Sequence, residues 1–184
     1  MEVLSIKGFK RKNQLLSLCG LNCGLCPMFI GKNCGGCGNG NQSCSIAKCS
    51  IERKVEYCIE CSDYPCERYQ HIDEFDSFIT HRNQKSDLEK SKEIGIEKYN
   101  LEQEEKIRIL DYLLSNYNDG RRKSFFCVAV NLLDISELKA ALRVVSDNEE
   151  LSLLSKKQSA SYVVDILNSI ADKRGIKLKL NKKK

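Results

Sequence analysis

Residues 19–37, CGLNCGLCPMFIGKNCGGC, open the cysteine-rich stretch that decides how this chain folds. Ten of the eleven cysteines in the 184-residue chain lie between Cys19 and Cys66, and only Cys127 lies outside that stretch. The stretch has few large apolar side chains, and a segment with so little to bury is marginal on hydrophobic burial alone. We therefore expect bonds made through sulfur, to a metal or in disulfides, to hold residues 1–72 together as one module.

The spacing of the cysteines favours metal over disulfides. Three C-x2-C pairs occur, Cys23/Cys26, Cys34/Cys37 and Cys58/Cys61, and two intervening residues let one tight turn direct both sulfurs at one ion. The N-terminus has no continuous apolar signal segment, so we expect a reducing compartment in which thiols stay free. The predicted metal ligands are Cys19, Cys23, Cys26, Cys34, Cys37, Cys44, Cys49, Cys58, Cys61 and Cys66.

Zinc is the first metal to consider, because tetrahedral thiolate sites suit it. The simplest partition uses two or three ions. One local set would be Cys34, Cys37, Cys44 and Cys49. A second set would join the two ends of the module through Cys23, Cys26, Cys58 and Cys61. Cys19 and Cys66 would complete a third site with His71 or remain free thiols.

Two alternatives remain open. The spacing Cys19-x3-Cys23-x2-Cys26 matches the one with which radical S-adenosylmethionine enzymes bind a [4Fe–4S] cluster. Those enzymes need a barrel of alternating strands and helices, for which this chain has neither the length nor the alternation, so the alternative is an iron–sulfur protein for redox or sensing. The other alternative is a thiol-dependent enzyme that uses Cys19 or Cys66, which requires a metal-free cysteine beside a cation.

Four cysteine motifs are together similar to those of a known family. They are CGLNCGLCP (19–27), CGGC (34–37), CSI (44–46) with Cys49, and CIECSDYPCE (58–67). They resemble the cysteine-rich family known as domain of unknown function 3795, over roughly residues 17–72. The resemblance continues more weakly through IGIEK (94–98) and GRRKSFFC (120–127). It implies metal binding and a prokaryotic cytoplasm, and it brings no established reaction or substrate.

After residue 72 the sequence takes on helical periodicity, which predicts a helical domain over 73–184. Ile107, Leu110 and Leu114 recur at spacings of three and four, as on one face of a helix. The apolar run SFFCVAVNLL (124–133) predicts the most buried helix. The expected fold class is mainly α, with a small irregular cysteine-rich metal-binding module docked on a helical body.

Capping patterns predict where several of these helices begin and end. Ser86 with Glu89 and Asp134 with Glu137 are possible capping boxes, and Ser159 is a candidate cap for the last helix. Gly95, Gly120 and Gly175 are candidate stops. The period-two tail at 176–180 predicts a short strand or an extended edge.

Charge and hydropathy limit the partners that the sequence predicts. Thirty basic residues against 25 acidic ones give a net charge of +5, which is too mild to imply nucleic acid by itself. Basic stretches at 10–12, 121–123 and 182–184 keep nucleic acid open as a partner, although most such stretches are solvated. No apolar run approaches the roughly 18 residues that a membrane span needs. Cys127 lies in an apolar run and is expected to be a core residue.

The sequence therefore predicts a cytoplasmic metal-binding protein, not bound to membranes. Zinc is the favoured metal, and its role would be to organise a surface that recognises an unknown protein partner. No pattern identifies a catalytic residue.

Overall fold

The computed structural model describes residues 11–39 and 43–183 of the chain. The described residues are mainly helical, at 59% helix with almost no strand, which confirms the predicted class. The α-helices of the described residues are α1 (Pro27–Ile30), α2 (Ser45–Arg53), α3 (Gln84–Ile94), α4 (Ile96–Tyr117), α5 (Lys123–Leu132), α6 (Ile135–Ser146) and α7 (Lys156–Lys173). None of these helices is both long and apolar enough to cross a bilayer.

The chain divides into two compact units, and the division falls within α4. The first unit comprises Met1–Glu104 with Asn181–Lys184, and the second comprises Glu105–Leu180. The compositional break at residue 72 lies inside the first unit. The division into 1–72 and 73–184 stays a prediction.

The first unit has a small core in which aromatic and aliphatic residues from distant positions meet. Its buried members are Leu16, Tyr57, Tyr69, Leu88 and Tyr99, and Cys19, Cys58 and Cys66 pack against them. Leu88 comes from α3 and Tyr99 from α4, so residues on both sides of position 72 share this core. A second, smaller cluster forms around Leu18 and Ala47.

Gly20 lets the cysteine-rich segment lie against α3. Its φ is +96°, a conformation that costs a side-chain-bearing residue energy. A Cβ at this position would lie 2.1 Å from the carbonyl oxygen of Gln84. Nearby, Asn22 Nδ2 donates to Asp87 Oδ2 at 2.7 Å and Tyr99 Oη donates to Asn22 Oδ1 at 3.0 Å. These contacts fix Cys19 and Cys23 relative to α3 and α4.

The second unit has a conventional hydrophobic core. Seven consecutive residues of α5, from Phe126 to Leu132, are buried, as the apolar run predicts. Cys127 is among them at 3% exposure, which confirms that it lies in the core. Helices α6 and α7 pack together, and Arg174 Nη1 bonds Asp134 at 3.1 Å and Glu137 at 2.7 Å.

Two predicted caps are wrong and one is confirmed. Asp134 and Glu137 form the capping box of α6. Ser86 instead lies inside α3, which begins after Asn83. The cap of α7 is Ser155, in a capping box with Gln158, while Ser159 is buried within the helix. Both errors have one cause, because a serine can occupy a helix's interior as well as its cap and the first turn is fixed by packing.

Predicted helix ends fare better than predicted starts. Gly95 ends α3 with φ +87°. Gly120 and Gly175 follow α4 and α7 with φ of +93° and +66°. Residues 176–180 lie outside any strand. The period-two pattern there is not used for sheet pairing within the described part of the chain.

Candidate metal centre

Short turns hold two of the three C-x2-C pairs in compact loops. The Cys26 N–H donates to the Cys23 carbonyl and the Cys61 N–H donates to the Cys58 carbonyl, both at 3.0 Å. Each pair begins a single 3₁₀ turn, Cys23–Leu25 and Cys58–Glu60. This is the local geometry that the spacing predicts for a pair of thiolates on one ion.

The third pair depends on glycine. Gly36, between Cys34 and Cys37, has φ +85°. A Cβ there would lie 2.8 Å from Gln14 Oε1 and 3.1 Å from Phe29 Cε2. The tight turn therefore needs a glycine both for its backbone angle and for its close packing.

Helix α2 carries two further cysteines. Cys44 is its N-cap residue, and the Cys44 sulfur accepts a hydrogen bond from the Ala47 N–H at 3.4 Å. Cys49 lies one turn before Arg53 at the end of the same helix, so the two side chains share a face. The helix thus places a thiol at its start and a thiol followed by a guanidinium at its end.

Four cysteines line one surface cavity of about 320 Å³. They are Cys49, Cys58, Cys61 and Cys66, and we call them the cavity group. Arg53, Asp63 and Arg68 also line this cavity. The grouping combines Cys49 with partners from another chain segment, which differs from either set of four in the sequence-based partition.

The other six of the ten clustered cysteines form what we call the N-terminal group: Cys19, Cys23, Cys26, Cys34, Cys37 and Cys44. Burial raises the pKa of Cys23 well above its usual value, and charge repulsion from Cys37, Cys19, Cys26 and Cys34 adds to the effect. Burial likewise raises the pKa of Cys19 to about 11, with repulsion from Cys37 and Cys44. These repulsions show that the thiols of the N-terminal group lie within range of one another's charge.

Cys19 and Cys58 connect the two groups. Burial raises the pKa of Cys58 to about 12, and Cys19, Cys66 and Cys49 add repulsion. The thiol of Cys58 therefore interacts with its own cavity group and with Cys19. The two groups adjoin each other within the first unit.

Polar donors surround several of the sulfur atoms. Arg53 Nη1 donates to Cys61 Sγ at 3.3 Å and is held by Asp63 Oδ2 at 2.6 Å. Ser17 Oγ lies 3.3 Å from Cys19 Sγ. Such contacts orient sulfur ligands and stabilise their thiolate form.

Tyr69 supplies a further donor. Its side chain is buried, at 3% exposure, and its hydroxyl meets no oxygen or nitrogen partner in the described part of the chain. Cys58 packs against the cluster that contains Tyr69, and the Tyr69 hydroxyl lowers the pKa of the Cys58 thiol against the larger effect of burial. A buried hydroxyl left without a strong partner is costly, and a thiolate at Cys58 would be such a partner.

The cysteine side chains are neither paired in disulfides nor arranged around a common point. All eleven cysteines lie in the described ranges and none forms a disulfide. Among the described residues, no three Cys, His, Asp or Glu side chains are arranged to hold a metal ion. The donor chemistry of the cavity group fits a tetrathiolate site.

His71 and Cys127 are less suited to join such a site. The His71 ring is 76% exposed and its Nδ1 lies 2.5 Å from Glu74 Oε1. Cys127 lies in α5, within the second unit. The third site with His71 stays a prediction.

Sequence reasoning missed Ser17, Arg53 and Tyr69, three residues whose side chains act on cysteine thiols. Only Arg53 had a usable signal, because it follows Cys49 by four residues in a predictable helix. Ser17 and Tyr69 reach their sulfur partners through tertiary packing, which spacing does not reveal. Compared with protein-family models, curated proteins and solved structures, the chain matches none. The resemblance to the domain of unknown function 3795 family stays a prediction.

Proposed function

We propose that this protein binds metal through its ten clustered cysteines, and that the metal organises the first unit into a surface for a protein partner. Zinc is the favoured metal, because ten thiolates at four per ion fill two closed sites with two thiols left over. The observation that carries the proposal is the cavity group, in which Cys49 on α2 joins three cysteines from residues 58–66.

Energetics support a metal as the organising element. Structural zinc contributes about 10–16 kcal/mol of apparent binding free energy in finger peptides at neutral pH. The apolar residues of the first unit form two small clusters, so a contribution of that size would dominate the unit's stability. A protein partner would then recognise a surface that exists only in the loaded form.

An iron–sulfur cluster is the second candidate. The N–H donors from Arg53 to Cys61 and from Ala47 to Cys44 are the kind of interaction that tunes cluster potentials. The cavity group would supply four thiolates, and the N-terminal group contains the Cys19-x3-Cys23-x2-Cys26 spacing. Oxygen sensitivity and a brown colour would separate this candidate from zinc.

The enzyme alternative has less support. The pKa of Cys19, raised to about 11 by burial, leaves its thiol protonated at neutral pH, and a protonated thiol is a poor nucleophile. Selective alkylation of Cys19 or Cys66 in the metal-loaded protein would support the thiol-dependent enzyme.

The deciding experiment is elemental analysis with a visible absorption spectrum on the full chain purified without oxygen. We expect two or three zinc ions per chain and no iron–sulfur band. Cys61→Ser should lower the zinc content by about one equivalent, because it removes one of four ligands. Cys127→Ala is the matched control and should leave the content unchanged. A wild-type protein that retains no metal, and takes up none on reconstitution, would contradict the proposal.

A further inference from the structure

A second feature of the first unit lies in its loop 72–81 and involves no cysteine. Phe75 is 43% exposed and Phe78 is 62% exposed. Single exposed apolar residues are common on protein surfaces. Two exposed phenylalanines within four residues, in a loop with defined hydrogen bonds, indicate a binding surface.

The C-terminal segment is bound firmly to this loop. The Asp76 N–H donates to the Asn181 carbonyl and the Asn181 N–H donates back to Asp76 Oδ2, both at 2.7 Å. Asn181 Nδ2 also donates to the Glu74 carbonyl at 2.6 Å. The Asp76 side chain is fully buried, so the attachment is shielded from water.

This attachment places two lysines beside the two phenylalanines. Lys182 Nζ lies 5.6 Å from the centroid of the Phe78 ring, and Lys183 Nζ lies 6.0 Å from that of Phe75. The Lys182 ammonium also donates to the Ser77 carbonyl. The result is a defined patch of four residues, Phe75, Phe78, Lys182 and Lys183, which we call the aromatic–lysine patch.

Lys182 and Lys183 are the positive groups of this patch, and the neighbouring carboxylates have other polar partners. Asp73 bonds Lys85 at 2.8 Å and Glu74 bonds His71 at 2.5 Å. Asp76 is occupied by the backbone N–H groups of His81 and Asn181. Among the described residues, the partners of these three carboxylates in charged contacts are Lys85, His71 and Arg82.

We infer that the aromatic–lysine patch binds single-stranded nucleic acid. Unpaired bases stack on exposed aromatic rings and the lysines neutralise the adjacent phosphates, which is the combination that such ligands require. A duplex hides its base faces and would gain only the charge contribution. An acidic protein would gain the charge contribution without the stacking.

The other basic stretch with nearby aromatics is less suitable. Arg122 Nε lies 3.6 Å from Asp119 Oδ2. Of the two phenylalanines that follow this stretch, Phe126 is fully buried. Phe125 is partly buried, with its ring centroid 5.7 Å from that of Phe126, so neither ring is as exposed as those of Phe75 and Phe78. The contrast identifies the loop at 72–81, and not residues 121–123, as the place to test.

The test uses the full chain and a fluorescein-labelled oligothymidine of about 20 nucleotides, a length that exceeds the site size of small single-strand binders. Anisotropy is measured over a series of salt concentrations beginning at about 50 mM. We expect saturable binding that is weaker for a duplex of equal length. We also expect it to be weaker for inorganic polyphosphate, which has charge but no bases.

Two double variants separate stacking from charge. Phe75→Leu with Phe78→Leu should weaken binding by about tenfold or more with the salt slope unchanged, since only stacking is removed. Lys182→Gln with Lys183→Gln should reduce the slope of log K against log salt by about 0.7 for each phosphate that is no longer neutralised. Lys156→Gln with Lys157→Gln removes the same charge from exposed positions on α7 and should change neither quantity.

Several results would overturn the inference. These are no binding at the lowest salt concentration, equal binding of polyphosphate, or an unchanged affinity in the phenylalanine variant. If the wild type does not bind the oligonucleotide and the double phenylalanine variant has a different oligomeric state in sedimentation, the patch is an interface between two copies of the chain. Circular dichroism on each variant checks that it is folded. The metal proposal does not enter this test.

Discussion

The two units of this protein bury different kinds of residue. In the second unit, α5 contributes an unbroken run of buried residues from Phe126 to Leu132. In the first unit, three of the five residues in the larger core cluster are tyrosines, and cysteines pack around them. The comparison teaches that hydrophobic burial is concentrated in the second unit, whereas the first unit has smaller clusters, which is why we propose that metal stabilises it.

Metal removal should produce the largest difference in stability between the two units. A strong chelator, added to the anaerobically purified protein, should abolish protection from hydrogen exchange in residues 11–39 and 43–104. Protection in α5–α7 should persist, since their core contains no predicted metal ligand. The expected loss is on the order of 10 kcal/mol for the metal-dependent region. Equal protection with and without chelator would show that the first unit is held together without metal.

Phe126→Ala should have the converse effect. Phe126 is fully buried, and truncating such a side chain costs about 3–5 kcal/mol. Denaturant unfolding followed by circular dichroism would measure the loss of stability, and metal content should stay unchanged. Val144→Ala on α6, at a position that is 50% exposed, is the control and should cost little. Loss of metal in Phe126→Ala would mean that the two kinds of stabilisation are coupled.

Tyr69→Phe tests whether the buried hydroxyl serves the metal. The hydroxyl meets no oxygen or nitrogen partner among the described residues, so its removal should leave the metal-free protein equally stable or slightly more stable. Metal affinity should nevertheless fall by about tenfold or more, as it does when a group that orients a metal ligand is removed. Competition with a chelating dye would measure the affinity.

The stoichiometry of Tyr69→Phe should remain that of the wild type. Tyr162→Phe, in α7, is the matched control and should not alter affinity. An affinity equal to that of the wild type in Tyr69→Phe would refute the role of the hydroxyl.

Asp134→Ala should produce the smallest effect of this series. Asp134 caps α6 and bonds Arg174, and removal of an N-cap costs about 1 kcal/mol. Thermal unfolding of the second unit would show a small decrease in midpoint, with no change in metal content. Asp147 is the C-cap of α6 and makes its cap bond through the backbone N–H to the Arg143 carbonyl. Asp147→Ala therefore removes the same charge without removing a side-chain cap and should be neutral. A larger decrease for Asp147→Ala would contradict the assigned cap.

Much of the helical architecture could be predicted from local sequence. Three local patterns each predict a feature of one or two helical turns, and the structure contains all three. They are the apolar run at 124–133 in a buried helix, the pair Asp134/Glu137 in a capping box, and Gly95 at a helix end. Ser86 and Ser159 failed as caps because a serine is compatible with both a cap and a helix interior. Packing against the rest of the unit decides between the two.

The sequence by itself determined that the cysteines form compact pairs and that the chain is mainly helical. Both follow from interactions between residues close together in the chain. Only the tertiary structure decided that Cys49 joins Cys58, Cys61 and Cys66, that Tyr69 lies beside Cys58, and that Lys182 and Lys183 reach Phe78 and Phe75. Those contacts join positions distant in sequence, and residue spacing contains no information about which distant segments meet.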